Sequence, residues 1–144
     1  MIDQENERSV QAYVTGIDIP EIANGASFPL SESYSGIAAR TKATQIIQPE
    51  HELELGGILP GSVAAFKAHF RSILIVPLIS QADVVATFWA HSKEVNAYDA
   101  DDVRVAESVA SQIAGAIANS QQFSKTEQME QESSVLAGLG RIIN

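Results

Sequence analysis

The sequence predicts an α+β fold in which an antiparallel sheet lies between helical layers and a long helix closes the chain. Three observations predict it. Two adjacent β-prone runs, Ser72 to Ser80 and Val84 to His91, flank the short polar turn Gln81-Ala82-Asp83, the pattern of a β-hairpin. From Asp99 onward Val103, Ala106, Val109, Ala110, Ile113, Ala114 and Ile117 recur at three- and four-residue steps, giving a helix one apolar stripe. Before the hairpin come short strand and helix patterns punctuated by Pro and Gly.

In order along the chain, Ile2-Asp3 reads as the end of a strand, and a polar turn follows. Ser9 to Thr15 alternates, with Val10, Ala12 and Val14 expected inward and Gln11, Tyr13 and Thr15 outward. Gly16 to Gly25 is a loop. Ala26 to Leu30 is a short strand that Pro29, lacking an N–H, confines to an edge or a bulge. Ser31 or Ser33 caps a helix from Tyr34 to about Thr41, with Ile37 and Ala38 facing inward. Thr44 to Gln48 is a further strand. Pro60 suits the first turn of a helix reaching His69, whose inner side is expected to be Val63, Phe66 and Phe70.

The hairpin carries the strongest constraint. Ile73, Leu74, Ile75 and Val76 leave no polar face, so this strand needs cover on both sides and belongs mid-sheet with helices above and below. Pro77 should sit at a bulge or face an unpaired edge. Asp99 is placed to cap the long helix and Asp102 to bond back from its first turn. From Asp102 to Phe123 that helix would run about 33 Å. Ser124 to Ser133 is then helix-permissive but nearly devoid of apolar residues, and Val135 to Ile143 is apolar again.

Composition narrows the function. The chain's 144 residues suffice for one domain with a core, plus a tail. A net charge of −9 argues against nucleic acid and acidic membrane surfaces. There is no apolar run of membrane-spanning length, and the acidic, polar start does not read as a signal peptide; a cytoplasmic protein is expected. With no cysteine there is no disulfide, thiolate metal site or thiol nucleophile. His51, His69 and His91 have no metal-ligand spacing, and His51 reads as a solvated loop residue. Ser35 and Ser62 lack a nucleophile-elbow pattern. Asp101 and Asp102 are accounted for as helix-start residues. Gly56-Gly57 is not followed by the lysine or hydroxyl of a phosphate loop. No catalytic residue is legible.

The stretch Phe70-Arg71-Ser72-Ile73-Leu74-Ile75-Val76-Pro77-Leu78-Ile79 leads to a turn and a second strand. Then come Ser92-Lys93-Glu94-Val95-Asn96-Ala97-Tyr98, Asp101-Asp102-Val103 and the Ala-rich helix ending Ala116-Ile117-Ala118-Asn119-Ser120. This closely resembles the C-terminal half of a GAF domain, a small sensory module of signalling proteins; the resemblance is looser from Ser9 to Phe70. It implies a GAF/profilin-like sheet between helical layers over residues 1–123, with the family's first helix and most of its first strand missing. Residues 124–144 would be a connecting helix or tail toward a following module.

The implied function is non-catalytic. The domain would bind a small molecule non-covalently and relay the change through its C-terminal helix, in a signalling protein such as a histidine kinase. A ligand-free dimerisation or spacer module and a small enzyme on the same fold are the alternatives. Bilin-binding members of the family and its methionine sulfoxide reductases work through cysteine, which is absent, and the Asn-Lys-Phe-Asp-Glu signature of the cyclic-nucleotide-binding members is absent too. The cofactor is therefore open, with haem the disfavoured alternative. By position the family's pocket falls between the sheet and Phe28 to Arg40 and Leu53 to Phe70. Phe28, Tyr34, Phe66, Phe70, Trp89 and His91 become candidate ligand-binding residues, although aromatics in a small domain also serve as ordinary core. A homodimer through the long helix is expected, its stripe left short of cover by the missing helix and its Ala106, Ala110, Ala114 and Ala118 allowing close approach.

Overall fold

The computed structural model describes residues 1–51 and 60–143. Among the described residues six strands and three α-helices follow one another as β1 (Ile2–Asp3), β2 (Arg8–Val10), β3 (Ser27–Pro29), α1 (Tyr34–Thr41), β4 (Gln45–Ile47), α2 (Pro60–Lys67), β5 (Ser72–Ser80), β6 (Asp83–Ser92) and α3 (Ala100–Ile143). Two 3-10 turns, Pro20–Ile22 and Leu30–Glu32, bracket β3. Where one sheet is expected, the hydrogen-bonded ladders form two, both antiparallel: β1-β2-β3 and β4-β5-β6. The first lies alongside the second, with β1 against β6.

β5 is the centre of the second sheet, and its residues divide by pleat parity as a strand covered on both faces must. Leu74, Val76 and Leu78 pack with Ala86 on Ala106, Ala110 and Ala114 of α3. Ile73 and Ile75 point the other way, into a second cluster with Ala38 of α1, Ala65 of α2 and Ile19 and Ile22 of the preceding loop. The hairpin turns on Gln81 and Ala82, both at positive φ (50° and 71°), the two-residue geometry that matches the twist of paired strands. Pro77 lies past the end of β4 and beside the bulge between Leu78 and Ile79, so its missing N–H interrupts no ladder on the β4 side.

Helix starts and stops follow local chemistry. The Ser33 hydroxyl accepts from the Gly36 N–H and caps α1. At α3, Asp99 Oδ1 accepts from the N–H groups of Asp101 and Asp102, while Asp102 Oδ2 accepts from the Asp99 N–H, a reciprocal capping box. The helix runs 44 residues, about 66 Å, continuous through Phe123. α2 ends with Phe70 N–H on Ala65 C=O and His69 N–H on Phe66 C=O, a Schellman motif whose left-handed position is His69 (φ 71°). No described helix is long and apolar enough to cross a membrane.

Three expectations need correction. The strand from Ser9 stops at Val10, and its alternation is kept only in part: Ser9 is buried and Ala12 exposed against expectation, whereas Val10 and Val14 are half-buried and Tyr13 and Thr15 exposed as expected. The ladder gives out because its partner turns at Asn24-Gly25 (Gly25 φ 84°). Gln11 still pairs with Ala26 and Gly25, but the next bond, from Val14 N–H, goes to the Asn24 side chain. On α2 the fully buried positions are Ser62 and Ala65, with Val63, Phe66 and Phe70 only half-buried. On α3, Val109 is outside the core stripe at 42% exposure. Ala106, Ala110 and Ala114 are 9%, 1% and 1% exposed, spent on the sheet within the chain and closed to a partner helix.

Candidate functional site

The α1–α2 side of β6 holds a cavity of about 30 Å³, room for roughly two water molecules. Each wall comes from a different element. β6 contributes Trp89, whose parity puts it on the face opposite α3. α1 contributes Tyr34 and Ser35, its cap contributes Ser33, and α2 contributes Gly61 and Ser62. Phe28, Ser9 and Gln11 close it from the first sheet's side, with Ile22 below and the exposed Glu32 at its rim. Gly61 is small because it must be: a Cβ there would lie 2.9 Å from Ile22 Cγ2.

The polar groups are connected. Trp89 Nε1–H donates to Thr87 Oγ1 at 2.9 Å, and Thr87 Oγ1 shares a 2.9 Å hydrogen bond with Ser35 Oγ. This chain ties α1 to β6 directly. Tyr34 meets the indole edge-on at 6.5 Å between centroids, and burial pushes its phenol pKa up. Ser9, Ser35 and Ser62 are all buried, an unusual concentration of hydroxyls for so small a space.

Beyond Trp89 the strand carries His91. Its ring stacks on the indole (5.9 Å, 21° between planes) and receives the edge of Phe70 at 5.5 Å. Its Nδ1 is buried and has no hydrogen-bond partner among the described residues. Burial pushes the imidazole pKa down to about 4. Trp89 and His91 also line a wider groove of about 390 Å³ that runs along β6 and reaches Ile113 and Ile117 of α3.

Of the six aromatic candidates, the structure brings Phe28, Tyr34 and Trp89 together around the cavity. Next to it His91 stacks on Trp89 and meets Phe70 edge-on. Phe66 stands apart, half-buried with the Arg71 guanidinium 3.9 Å over its ring. The segment from Leu53 to Leu59 lies outside the described residues. His51 is exposed, as a solvated loop residue should be. The hydroxyl lining (Ser9, Ser33, Ser35, Ser62) had no signal of its own in the sequence, because serines in loops and first helical turns usually serve as caps. Among the described residues no group of three or more His, Asp or Glu is placed to hold a metal ion.

The sequence model of the GAF domain matches residues 2–118. The chain belongs to the GAF domain family. Solved structures agree on the fold. The GAF domain from Acinetobacter phosphoenolpyruvate-protein phosphotransferase superposes with a TM-score of 0.64 at 17% identity, covering 87% of this chain and 71% of that one. Free methionine-R-sulfoxide reductase from Neisseria meningitidis, solved in complex with its substrate, gives 0.66 at 18% identity over 84% of this chain and 65% of the reductase. The GAF domain of a two-component sensor histidine kinase from Bacillus halodurans gives 0.59 at 18%, covering 78% and 73%. No curated protein matches the sequence. At such identities the likeness speaks for the GAF fold, and the chemistry of the site rests on this chain's own residues.

Proposed function

We propose that this GAF domain is a non-catalytic sensory module of a cytoplasmic signalling protein, of the sensor histidine kinase kind. In this reading it holds a small molecule non-covalently in the cavity beside Trp89 and relays its presence through α3. The observation that carries the reading is the Ser35–Thr87–Trp89 hydrogen-bonded chain on the cavity wall. Thr87 and Trp89 lie on one face of β6, while Ala86, Phe88 and Ala90 on the other face pack against the α3 cluster. A ligand that displaces Tyr34 or breaks the Ser35–Thr87 bond therefore acts on a strand already touching the output helix. Because the cavity is small, binding favours an opened arrangement of α1 over the closed one, a population shift. The kinship with a sensor kinase GAF domain supports the signalling role. The likeness to a reductase would favour catalysis, but reductases of this fold work through cysteine, and this chain has none.

The test uses the chain's single tryptophan. A small-molecule panel titrated against Trp89 fluorescence should contain compounds giving a saturable change that Thr87→Val diminishes. A panel with no saturable response, together with an unaltered melting temperature, would remove the sensory reading.

One observation favours the ligand-free dimerisation module. At 100° per residue Val105, Val109, Ala116 and Phe123 share a second stripe on α3, about a third of a turn from the buried one. Val105 is 65% exposed and Phe123 70%.

A further inference from the structure

We propose that the cavity beside Trp89 takes a small ligand with a primary ammonium head, because three aromatic side chains, buried hydroxyls and, among the described lining residues, one carboxylate and no cation converge there. The inference rests on the sensory reading above and names the ligand's chemical class. Phe28, Tyr34 and Trp89 line the space, and the negative faces of such rings attract a cation. Glu32 is the only ionised group among the described lining residues. The hydroxyl oxygens of Ser9 and Ser62 add acceptors suited to the three N–H bonds of an alkylammonium.

The surroundings point the same way. The nearest basic side chain along the first sheet, Arg8, turns to Ser27, its guanidinium donating to the Ser27 hydroxyl and carbonyl. An anion in this cavity would meet the Glu32 carboxylate with no opposite charge among the described lining residues, and the net charge of −9 would oppose its approach. The volume of about 30 Å³ suits an ammonium nitrogen with little more than its adjoining carbon, the rest of the ligand reaching past the rim.

The experiment compares three molecules of nearly equal size that differ in charge: propylammonium, propan-1-ol and propanoate. Each is titrated against Trp89 fluorescence at matched ionic strength, with wild type and with Glu32→Gln. Glu32 is exposed on a 3-10 turn, so this isosteric change leaves folding intact. Propylammonium should bind about tenfold more tightly than propan-1-ol, and Glu32→Gln should reduce that preference severalfold while leaving propan-1-ol unchanged. Equal binding of propan-1-ol, tighter binding of propanoate, or a preference untouched by Glu32→Gln would overturn the ammonium assignment and leave the sensory reading standing. No saturable response to any of the three would overturn the ammonium assignment, and the panel above would then decide the sensory reading separately.

Discussion

Replacing His91 by Phe should make the domain less sensitive to acid. In the native state the imidazole sits between the Trp89 and Phe70 rings with Nδ1 enclosed and unpartnered, and its pKa is pushed down to about 4. No carboxylate is among its ring neighbours; the charges described beside Phe70 are cations, Arg71, which donates to the Phe70 carbonyl at 3.0 Å, and Lys93, 5.7 Å from the Phe70 ring centroid. Unfolded, the same histidine titrates near its ordinary value of about 6.5. A base whose folded pKa is depressed gives the unfolded state the extra proton between those two values. Its contribution is therefore fully present above about pH 6.5 and is lost as pH falls toward 4. With those two values the loss between pH 7 and pH 5 is about 2 kcal/mol, and the limit below pH 4 is about 3 kcal/mol. Phenylalanine keeps both ring contacts and removes the titration together with the unpaired nitrogen, whose burial costs about 1 kcal/mol or more. Urea denaturation at pH 7 and pH 5 checks it. His91→Phe should equal or exceed wild type at pH 7, and its advantage should widen by about 2 kcal/mol at pH 5. Parallel pH profiles for the two proteins would refute the reasoning, since every other titrating group is common to both.

Other perturbations follow from single contacts. Asp99→Ala removes the acceptor of two helix-start N–H groups and should cost about 1 kcal/mol, with Asp99→Ser largely restoring the melting temperature. Gly36→Ala would place a Cβ 1.8 Å from the Leu30 carbonyl oxygen; a rigid backbone neighbour gives a loss of about 3 kcal/mol or more, readable as a melting temperature roughly 10 °C lower. Ala82→Gly relieves a left-handed residue in the hairpin turn and should gain about 0.5–1 kcal/mol by chemical denaturation. Phe123→Glu places a charge on the outer stripe of α3, where it should leave the melting temperature unchanged; if a homodimer forms through that stripe, light scattering should report the monomer mass.

Much of the fold was legible because its strongest elements announce themselves locally. The run Ile73-Leu74-Ile75-Val76 has no polar face, which demands two covers, and β5 has them in α3 and the α1–α2 side. Asp99 and Asp102 sit three residues apart before an apolar period, and they form the capping box. Failures arose where a long-range partner decides. The alternation from Ser9 to Thr15 is a sound strand pattern, but its partner turns at Asn24-Gly25, so the strand ends at Val10 and Ala12 loses the inward place expected of it. Val109 fits the helical stripe as well as Ile113 does, yet only the latter has sheet beneath it. At the site, Phe28, Tyr34 and Trp89 stood out as aromatics, whereas Ser9, Ser35 and Ser62 are ordinary in sequence and become notable only when three elements bring them to one space.

The value of that arrangement lies in how little motion it needs. A strand alternates its side chains, so β6 cannot rotate or slide without moving both faces together. On one face Trp89 and Thr87 hold Ser35 of α1. On the other Ala86, Phe88 and Ala90 join the cluster in which Leu74, Val76 and Leu78 of β5 pack on Ala106, Ala110 and Ala114 of α3. In the proposed relay, a shift of α1 large enough to admit a ligand would strain the Ser35–Thr87 bond, and close packing on the far face would pass the strand's displacement through the β5 side of the cluster to the helix. Loosening either end tests the coupling. Thr87→Val cuts the link at the cavity while preserving the strand's shape, so a ligand should still bind but lose its effect on spin labels placed along the exposed part of α3. An unchanged helix response in Thr87→Val would mean that the signal, if there is one, travels by another route.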